Sequence, residues 1–203
     1  MNKEKIVNAL KWFYKSFIWL FIVFLGIDIL TKQIVMNLGV TPGTKIADWG
    51  IVRINYILNY NAAFGMGAKD PNVSRIIYLV IASLVTTGLI VYLIIKRKTM
   101  KLYVRACLIL VITGAVGNMI DRIFYSHHAV VDWIDFWWFW GYNFNIADSC
   151  IVVAAFMLII YIIVLEVKEY LAKRKAEGVQ VKTLSKTEQQ RLEQEQKDQE
   201  ENK

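Results

Sequence analysis

The chain has 203 residues, of which 56% are hydrophobic, and its formal net charge is +7. Soluble domains carry about 45–50% apolar residues, and a mean hydropathy of +0.39 sets this chain apart from that class. A positive net charge can indicate a nucleic-acid partner, but here the lysines and arginines cluster at the ends of apolar runs. That pattern orients helices in a membrane, so the composition favours a membrane protein and argues against nucleic-acid binding.

Four apolar runs are each close to the ~20 residues that a helix needs to cross the hydrocarbon core. They are residues 13–36, 76–95, 103–124 and 146–165. The first run is too long for a signal peptide and no A-x-A cleavage site follows it, so we expect a retained helix. The sequence therefore predicts an all-α membrane protein with four transmembrane helices, in a membrane domain at residues 13–166.

The basic residues predict how these helices are oriented. They lie before or at the start of the first run, between the second and third runs, and after the fourth, at Lys3, Lys5, Lys11, Lys15, Lys96, Arg97, Lys98, Lys101, Lys168, Lys173, Arg174 and Lys175. By the positive-inside rule all three sites are cytoplasmic. We therefore predict a multi-pass protein with both termini in the cytoplasm, the N-terminal one being residues 1–12.

Three segments outside the runs have distinct compositions. Residues 51–57 mix β-branched and aromatic residues in partial alternation, which predicts a strand of a small extracytoplasmic β-sheet. Residues 136–144 are rich in aromatic residues, which is typical of an interfacial belt and compatible with a lip that contacts lipid. Residues 167–203 are basic and then almost wholly polar, which predicts a disordered cytoplasmic tail or a solvated helix.

Ionisable residues within the apolar runs are candidate functional groups, because burying a charge in a membrane is costly. Asp28 and Lys32 have the acid-then-base i,i+4 spacing of a helical ion pair. Asn118, Asp121 and Arg122 lie on one face of the third run by their i,i+3 and i,i+4 spacing. Helix packing alone explains such a cluster as well as function does, so both interpretations stay open.

Small residues in the same runs predict close packing. Gly114 and Gly117 lie near the polar face of the third run and would let a neighbouring helix approach closely. Cys107 and Cys150 have no CxxC neighbour and no nearby histidine, so we expect two buried free thiols.

Two further aspartates, Asp132 and Asp148, flank one short loop beside the apolar runs. Two carboxyl groups that share a proton can activate a water molecule, which is the chemistry of an aspartic peptidase. Asp148 also follows Asn145 by three residues, as in a capping box, so a purely structural role is its alternative. Asp135 is the alternative to Asp132.

Five sequence blocks resemble the lipoprotein signal peptidase family, also called signal peptidase II. In family order they are DILTK at 28–32, NYNAAFG at 59–65, GAVGNMIDR at 114–122, VVD at 130–132 and FNIADS at 144–149. The resemblance covers residues 15–165. It departs from the family at Ile29, where glutamine is usual, and at Asn61, where glycine is usual.

The resemblance implies an aspartic endopeptidase of the bacterial cytoplasmic membrane, which removes signal peptides from prolipoproteins. Cleavage would fall before the lipobox cysteine that carries a diacylglyceryl group. By motif, the catalytic pair maps onto Asp132 and Asp148, toward the outer face. The residues expected to bind substrate or support the site are Asp28, Lys32, Asn59, Asn118, Arg122 and Asn145, and Asp121 is included with them.

Such a mechanism needs no cofactor and no metal ion, since the two carboxyl groups activate water directly. The expected partners are diacylglyceryl-modified prolipoproteins and membrane lipids, and one chain is expected to act as a monomer. Two other functions stay open. A small membrane transporter or proton channel would use Asp121 and Arg122 along an intramembrane path, and a structural scaffold would use the polar residues only as packing contacts.

Overall fold

The computed structural model describes residues 3–61, 68–138 and 141–201, most of them helical. The elements are α1 Lys3–Ser16, α2 Ile18–Met36, β1 Thr44–Asp48, β2 Arg53–Asn59, α3 Pro71–Lys96, α4 Leu102–Phe124, β3 Val130–Asp135, β4 Asn143–Phe144 and α5 Ile146–Glu201. Four helical stretches are long and apolar enough to cross a membrane, namely Ile18–Met36, Pro71–Lys96, Leu102–Phe124 and Ile146–Ala176. The four expected spans are therefore confirmed as helices, accompanied by a small sheet.

The first span starts later than the sequence predicts. Phe17 adopts a left-handed conformation, with φ at 60°, and separates α1 from α2. The Ser16 hydroxyl holds this corner, because it donates to Phe13 O at 2.7 Å and accepts from the Ile18 N–H at 3.2 Å. A left-handed residue does not continue a right-handed helix, so one helix over 13–36 is wrong. Hydropathy missed the corner because the apolar run continues through it.

The sheet is antiparallel and has the strand order β1-β2-β3-β4. The strand expected at 51–57 is confirmed as β2, shifted toward the C-terminus. In the centre of the sheet β3 pairs with β2, and Asp132 lies opposite Ile57. The short strand β4 pairs with the end of β3 and leads directly into α5. This pairing brings the start of α5 beside Asp132.

The helix α4 is the centre of the membrane bundle. Of its apolar stretch 44% is buried, against 17% for α2 and less for the other two spans. One apolar cluster joins α4 to α5 through Cys107, Leu110, Cys150 and Ala154. Both cysteines are buried free thiols, as the sequence predicted.

The polar tail is helical, which corrects the expected disorder in favour of the solvated-helix alternative. The helix α5 runs to Glu201, well beyond its apolar stretch. Residues 167–203 are rich in Glu, Gln, Lys and Arg, which have high helix propensity. Gly178 is their single glycine and they contain no proline, so helix formation meets few local breakers.

Candidate active site

An open cavity of about 780 Å³ is bounded by α3, α4, the sheet and the start of α5. Most of its wall is apolar and includes Ile81, Val85, Val111, Met119 and Ile151. Five residues that the sequence singled out also line it, namely Asn59, Asn118, Arg122, Asp132 and Asp148. A few convergent polar groups in an otherwise apolar cavity are typical of a ligand or active site.

Asp132 is held on β3 and is only 1% exposed. Its Oδ2 accepts a hydrogen bond from Nδ2 of Asn59 at 2.9 Å, and its Oδ1 accepts one from Nδ2 of Asn145 at 2.7 Å. Burial and the neighbouring Asp148 carboxylate raise the pKa of Asp132 to about 7. A carboxyl group in this position holds a proton near neutral pH, as a proton-sharing pair requires.

Asp148 lies in the first turn of α5, where the helix dipole favours a negative charge. Its backbone N–H donates to Oδ1 of Asn145 at 2.8 Å, so Asn145 caps the helix as the sequence predicted. Its carboxylate Oδ1 instead accepts from Nδ2 of Asn118 on α4, at 2.7 Å. The cap therefore uses only the backbone N–H of Asp148. Its carboxylate takes no part in the cap, and Asp148 is one of the residues that line the cavity.

The Asn145 side chain connects the two candidate aspartates and is fully buried. Its Nδ2 donates to Asp132 at 2.7 Å and to Oδ1 of Asn118 at 3.2 Å, while its Oδ1 accepts from the backbone of Asp148. Both donors and the acceptor of this amide are thus used. The orientation of Asn145 is fixed, and with it the placement of β3 against α5.

A buried ion cluster of Asp28, Lys32 and Asp121 lies behind this pair. Nζ of Lys32 is 2.8 Å from Oδ2 of Asp28 and 2.8 Å from Oδ2 of Asp121. The predicted Asp28–Lys32 pair is therefore confirmed. Nζ also donates to Oδ1 of Asn118 at 3.3 Å. Since Asp121 is bound by Lys32 here, a structural ion pair explains its presence in the helix without an intramembrane transport path.

The two carboxylates of the ion cluster also anchor the backbone just before each candidate aspartate. Oδ1 of Asp28 accepts from the N–H of Ala147 at 2.9 Å, in the first turn of α5. Oδ2 of Asp121 accepts from the N–H of Val131 at 3.1 Å, on β3. The ion cluster therefore positions the two chain segments that carry the aspartates.

Arg122 lies on the cavity wall beside the aspartates. Its guanidinium donates to the backbone oxygens of Asn118 at 3.2 Å and Asn61 at 2.9 Å, and lies 5.3 Å from the ring centroid of Tyr78. Sequence reasoning missed Tyr78, because a tyrosine within an apolar run gives no signal by itself. Residues 62–65 of the NYNAAFG block, and 139–140 of the aromatic segment, lie outside the described residues.

Asp135 occupies a different environment from Asp132. Side chains alternate along a strand, so residues three apart point to opposite faces. Oδ2 of Asp135 accepts from Nδ2 of Asn55 at 3.0 Å, and the same nitrogen lies 2.8 Å from Oδ1 of Asn143. Among the described residues that line the cavity, Asp132 is present and Asp135 is not. The geometry therefore favours Asp132 over Asp135.

Gly114 and Gly117 lie where helices meet at the site. A Cβ atom on Gly117 would be 2.7 Å from Oδ2 of Asp28 and 2.9 Å from Cβ of Ala147, and one on Gly114 would overlap Ala147 O. Real Cβ atoms essentially never approach this closely. The close helix approach expected from these glycines is confirmed.

Replacing Gly117 with alanine is expected to lower the free energy of unfolding by about 1–3 kcal/mol, the usual cost of overpacking. Gly88→Ala is the matched control, since a Cβ there meets no atom within 4 Å. In the control, the higher helix propensity of alanine is expected to raise stability by up to about 1 kcal/mol. Unfolding midpoints in lipid–detergent mixtures test both, and equal shifts would contradict the packing argument.

The sequence of this chain matches one known protein family over most of its length. The family described as signal peptidase (SPase) II matches residues 20–164. The lipoprotein signal peptidase of Clostridioides difficile (strain 630) is 34% identical over 152 residues, which cover 75% of this chain and 97% of that protein. The lipoprotein signal peptidase of Vibrio campbellii is 36% identical over 148 residues, covering 70% and 85% respectively.

Two solved structures, each described as a bacterial membrane enzyme, have a similar fold. The one at 2.3 Å resolution has a TM-score of 0.62 and 27% identity, covering 72% of this chain and 86% of its own. The one at 1.9 Å has a TM-score of 0.60 and 28% identity, covering 71% and 90%. Together with the family match, they show that this chain belongs to the signal peptidase II family and is a membrane peptidase.

Proposed function

We propose that this peptidase removes signal peptides from prolipoproteins by using Asp132 and Asp148 as its catalytic carboxyl groups. One observation carries the assignment: both carboxyl groups line the same cavity, and the side chain of Asn145 bridges the segments that hold them. The substrate class follows from the family, whose similar members are lipoprotein signal peptidases.

The proposed reaction is a direct attack by water. The pair holds one proton, because two like charges in close proximity resist joint ionisation. The ionised carboxylate takes a proton from water as the oxygen attacks the scissile carbonyl carbon, and the protonated carboxyl donates to the carbonyl oxygen. The proton taken from water then passes to the leaving amine as the C–N bond breaks, and a hydroxyl of the tetrahedral intermediate returns its proton to the other carboxylate as the C=O bond re-forms, so the pair regains its single proton.

The wall composition of the cavity supports a lipidated peptide as the substrate. Apolar side chains from α3 and α4 suit acyl chains and an apolar signal helix. The amides of Asn59 and Asn118, which orient the carboxylates, lie on the same wall. The cavity thus suits the substrate that the family resemblance implies, a prolipoprotein whose lipobox cysteine carries a diacylglyceryl group and which is cleaved just before that cysteine.

The arrangement of charges supports both termini in the cytoplasm and the site toward the outer face. The guanidinium of Arg105 donates to Lys15 O at 3.0 Å and to Arg97 O, which joins two basic segments at one end of the bundle. Asp121 lies on the same helix, roughly 24 Å further along at 1.5 Å per residue. The cytoplasmic segments are then 1–12 and 167–203. Because one chain supplies both aspartates, we further propose that the domain at 13–166 acts as a monomer.

The direct test is cleavage of a diacylglyceryl-modified lipobox peptide by the purified protein in lipid nanodiscs. Product masses locate the scissile bond, and the unmodified peptide serves as the matched substrate control. Cleavage at another bond, or no cleavage by demonstrably folded protein, would contradict the proposal.

The cleavage rate is also expected to depend on pH. The pKa of Asp132 near 7 means that the pair holds its proton below about pH 7 and loses it above. The rate constant should therefore fall on the alkaline side, by about tenfold per pH unit, because the general acid is lost. Single-turnover rates from pH 6 to 9, on a peptide without titrating groups in that range, test this. A single-turnover rate that stays constant or rises from pH 6 to 9 would contradict proton sharing by the two carboxyl groups.

A further inference from the structure

The helix α1 lies outside the aspartate site and exposes an apolar face. This face consists of Ile6, Val7, Phe13 and Tyr14. Phe13 follows Ile6, and Tyr14 follows Val7, by seven residues, which is about two helical turns. Ile6, Val7 and Phe13 are 37–40% exposed and Tyr14 is 67% exposed. A row of exposed apolar side chains of this kind marks a surface that contacts another protein or a membrane.

The opposite side of α1 is basic. This basic face contains Lys5, Lys11 and Lys15, all exposed, with Lys11 and Lys15 one turn apart. Trp12, which follows Lys5 by seven residues and is 65% exposed, lies among these lysines. Glu4 is the single acidic residue among residues 1–16 of the sequence. A helix that is apolar on one face and lysine-rich on the other is the kind that lies in the plane of a membrane interface.

The corner between α1 and α2 fixes α1 next to the membrane boundary. The ring of Tyr14 stacks on that of Trp19 with centroids 6.3 Å apart, and the Trp19 indole N–H donates to Tyr14 O at 3.3 Å. Arg105 ties Lys15 O to Arg97 O. The first apolar span begins immediately after the corner, so α1 is held where lipid headgroups would be.

We propose that α1 lies in the membrane interface and binds the anionic headgroups of the surrounding phospholipids. The apolar face would enter the acyl boundary, while the basic face would meet headgroup phosphates. The link between α3 and α4 adds Lys96, Arg97 and Lys98 at the same end of the bundle. Charge complementarity and the adjacent bilayer both point to lipid as the occupant.

The test places a nitroxide label on either face of α1 in the full-length protein. Phe13→Cys labels the apolar face and Asn8→Cys the opposite side, while the native Cys107 and Cys150 are buried and give the background. The protein is placed in nanodiscs of phosphatidylcholine, with or without 30 mol% phosphatidylglycerol. With the anionic lipid, the label at position 13 should collide with oxygen and be protected from an aqueous nickel complex, and the label at position 8 should show the reverse.

The role of charge is tested by Lys5→Gln, Lys11→Gln and Lys15→Gln together. In native mass spectrometry this variant should retain at least tenfold less bound phosphatidylglycerol than the parent, because each of the three lysines strengthens binding to an anionic surface severalfold. Lys182→Gln, Lys186→Gln and Lys197→Gln together remove the same charge from the tail and should leave retention unchanged.

Three outcomes would overturn the proposal. Equal nickel access at both label positions would show that α1 does not lie on the bilayer. Shielding of the apolar face from both reagents would show that protein, such as a second copy, covers it. If the glutamine variant matched the parent both in nickel protection of the label at position 13 and in retained phosphatidylglycerol, anionic headgroups would not be the ligand.

Discussion

Replacing Asp132 with asparagine is expected to lower the rate of signal-peptide cleavage by roughly 10²–10⁴-fold, and replacing Asp148 is expected to do the same. A carboxamide neither accepts a proton from water nor shares one with its neighbour, so general acid–base catalysis is lost. Asparagine has nearly the same shape as aspartate, which keeps the cavity filled. The measurement is the single-turnover rate per folded enzyme, because a changed hydrogen bond at a buried carboxyl also costs about 1–3 kcal/mol of stability.

The Asp135→Asn variant is the matched control for these substitutions. It makes the same chemical change three residues further along β3, on the face where Asn55 holds the carboxylate. The cleavage rate should stay within a fewfold of wild type. If Asp132→Asn kept full activity and Asp135→Asn lost it, the assignment would be reversed. Full activity in the Asp132, Asp148 and Asp135 variants would leave only a structural role for these aspartates.

Local spacing predicted the parts of this structure that depend on neighbours in the chain. Hydropathy located the four spanning helices because each lies in a long, predominantly apolar run. The i,i+4 rule located the Asp28–Lys32 pair, and the three-residue spacing located the cap that Asn145 provides to α5. Each of these features lies within one element, so the sequence contains the information directly.

The remaining features depend on pairs of residues far apart in the chain. Lys32 and Asp121 are on different helices, and no spacing rule relates them. The bond from Asn145 to Asp132 requires the pairing of β3 with β4, and β4 has only two residues. The left-handed Phe17 breaks an apolar run without a glycine or proline to mark it. Composition alone left disorder and a solvated helix both open for the tail, because a polar segment that buries no core can still be helical.

Removing the charge of Lys32 is expected to give the largest loss of stability in the protein. Lys32→Met keeps an unbranched apolar stem but leaves Asp28 and Asp121 without their cation, and all three side chains are at most 1% exposed. Breaking a buried ion pair by removing one partner typically costs about 3–5 kcal/mol. The free energy of unfolding in lipid–detergent mixtures measures this loss. Lys45→Met, at the exposed pair with Asp48, is the control and should cost less than about 1 kcal/mol.

A compensated variant separates charge from packing in this ion cluster. Asp28→Asn, Lys32→Met and Asp121→Asn together leave no charge within the ion cluster, yet both asparagines keep an oxygen for the backbone N–H of Ala147 and Val131. Because a neutral, filled site avoids the desolvation of charges, this variant should recover most of the stability that Lys32→Met loses. If it also recovers cleavage, the two backbone bonds suffice to position the aspartates. If stability returns while cleavage does not, the bond from Lys32 to Asn118 is what holds the carboxylate of Asp148 in place.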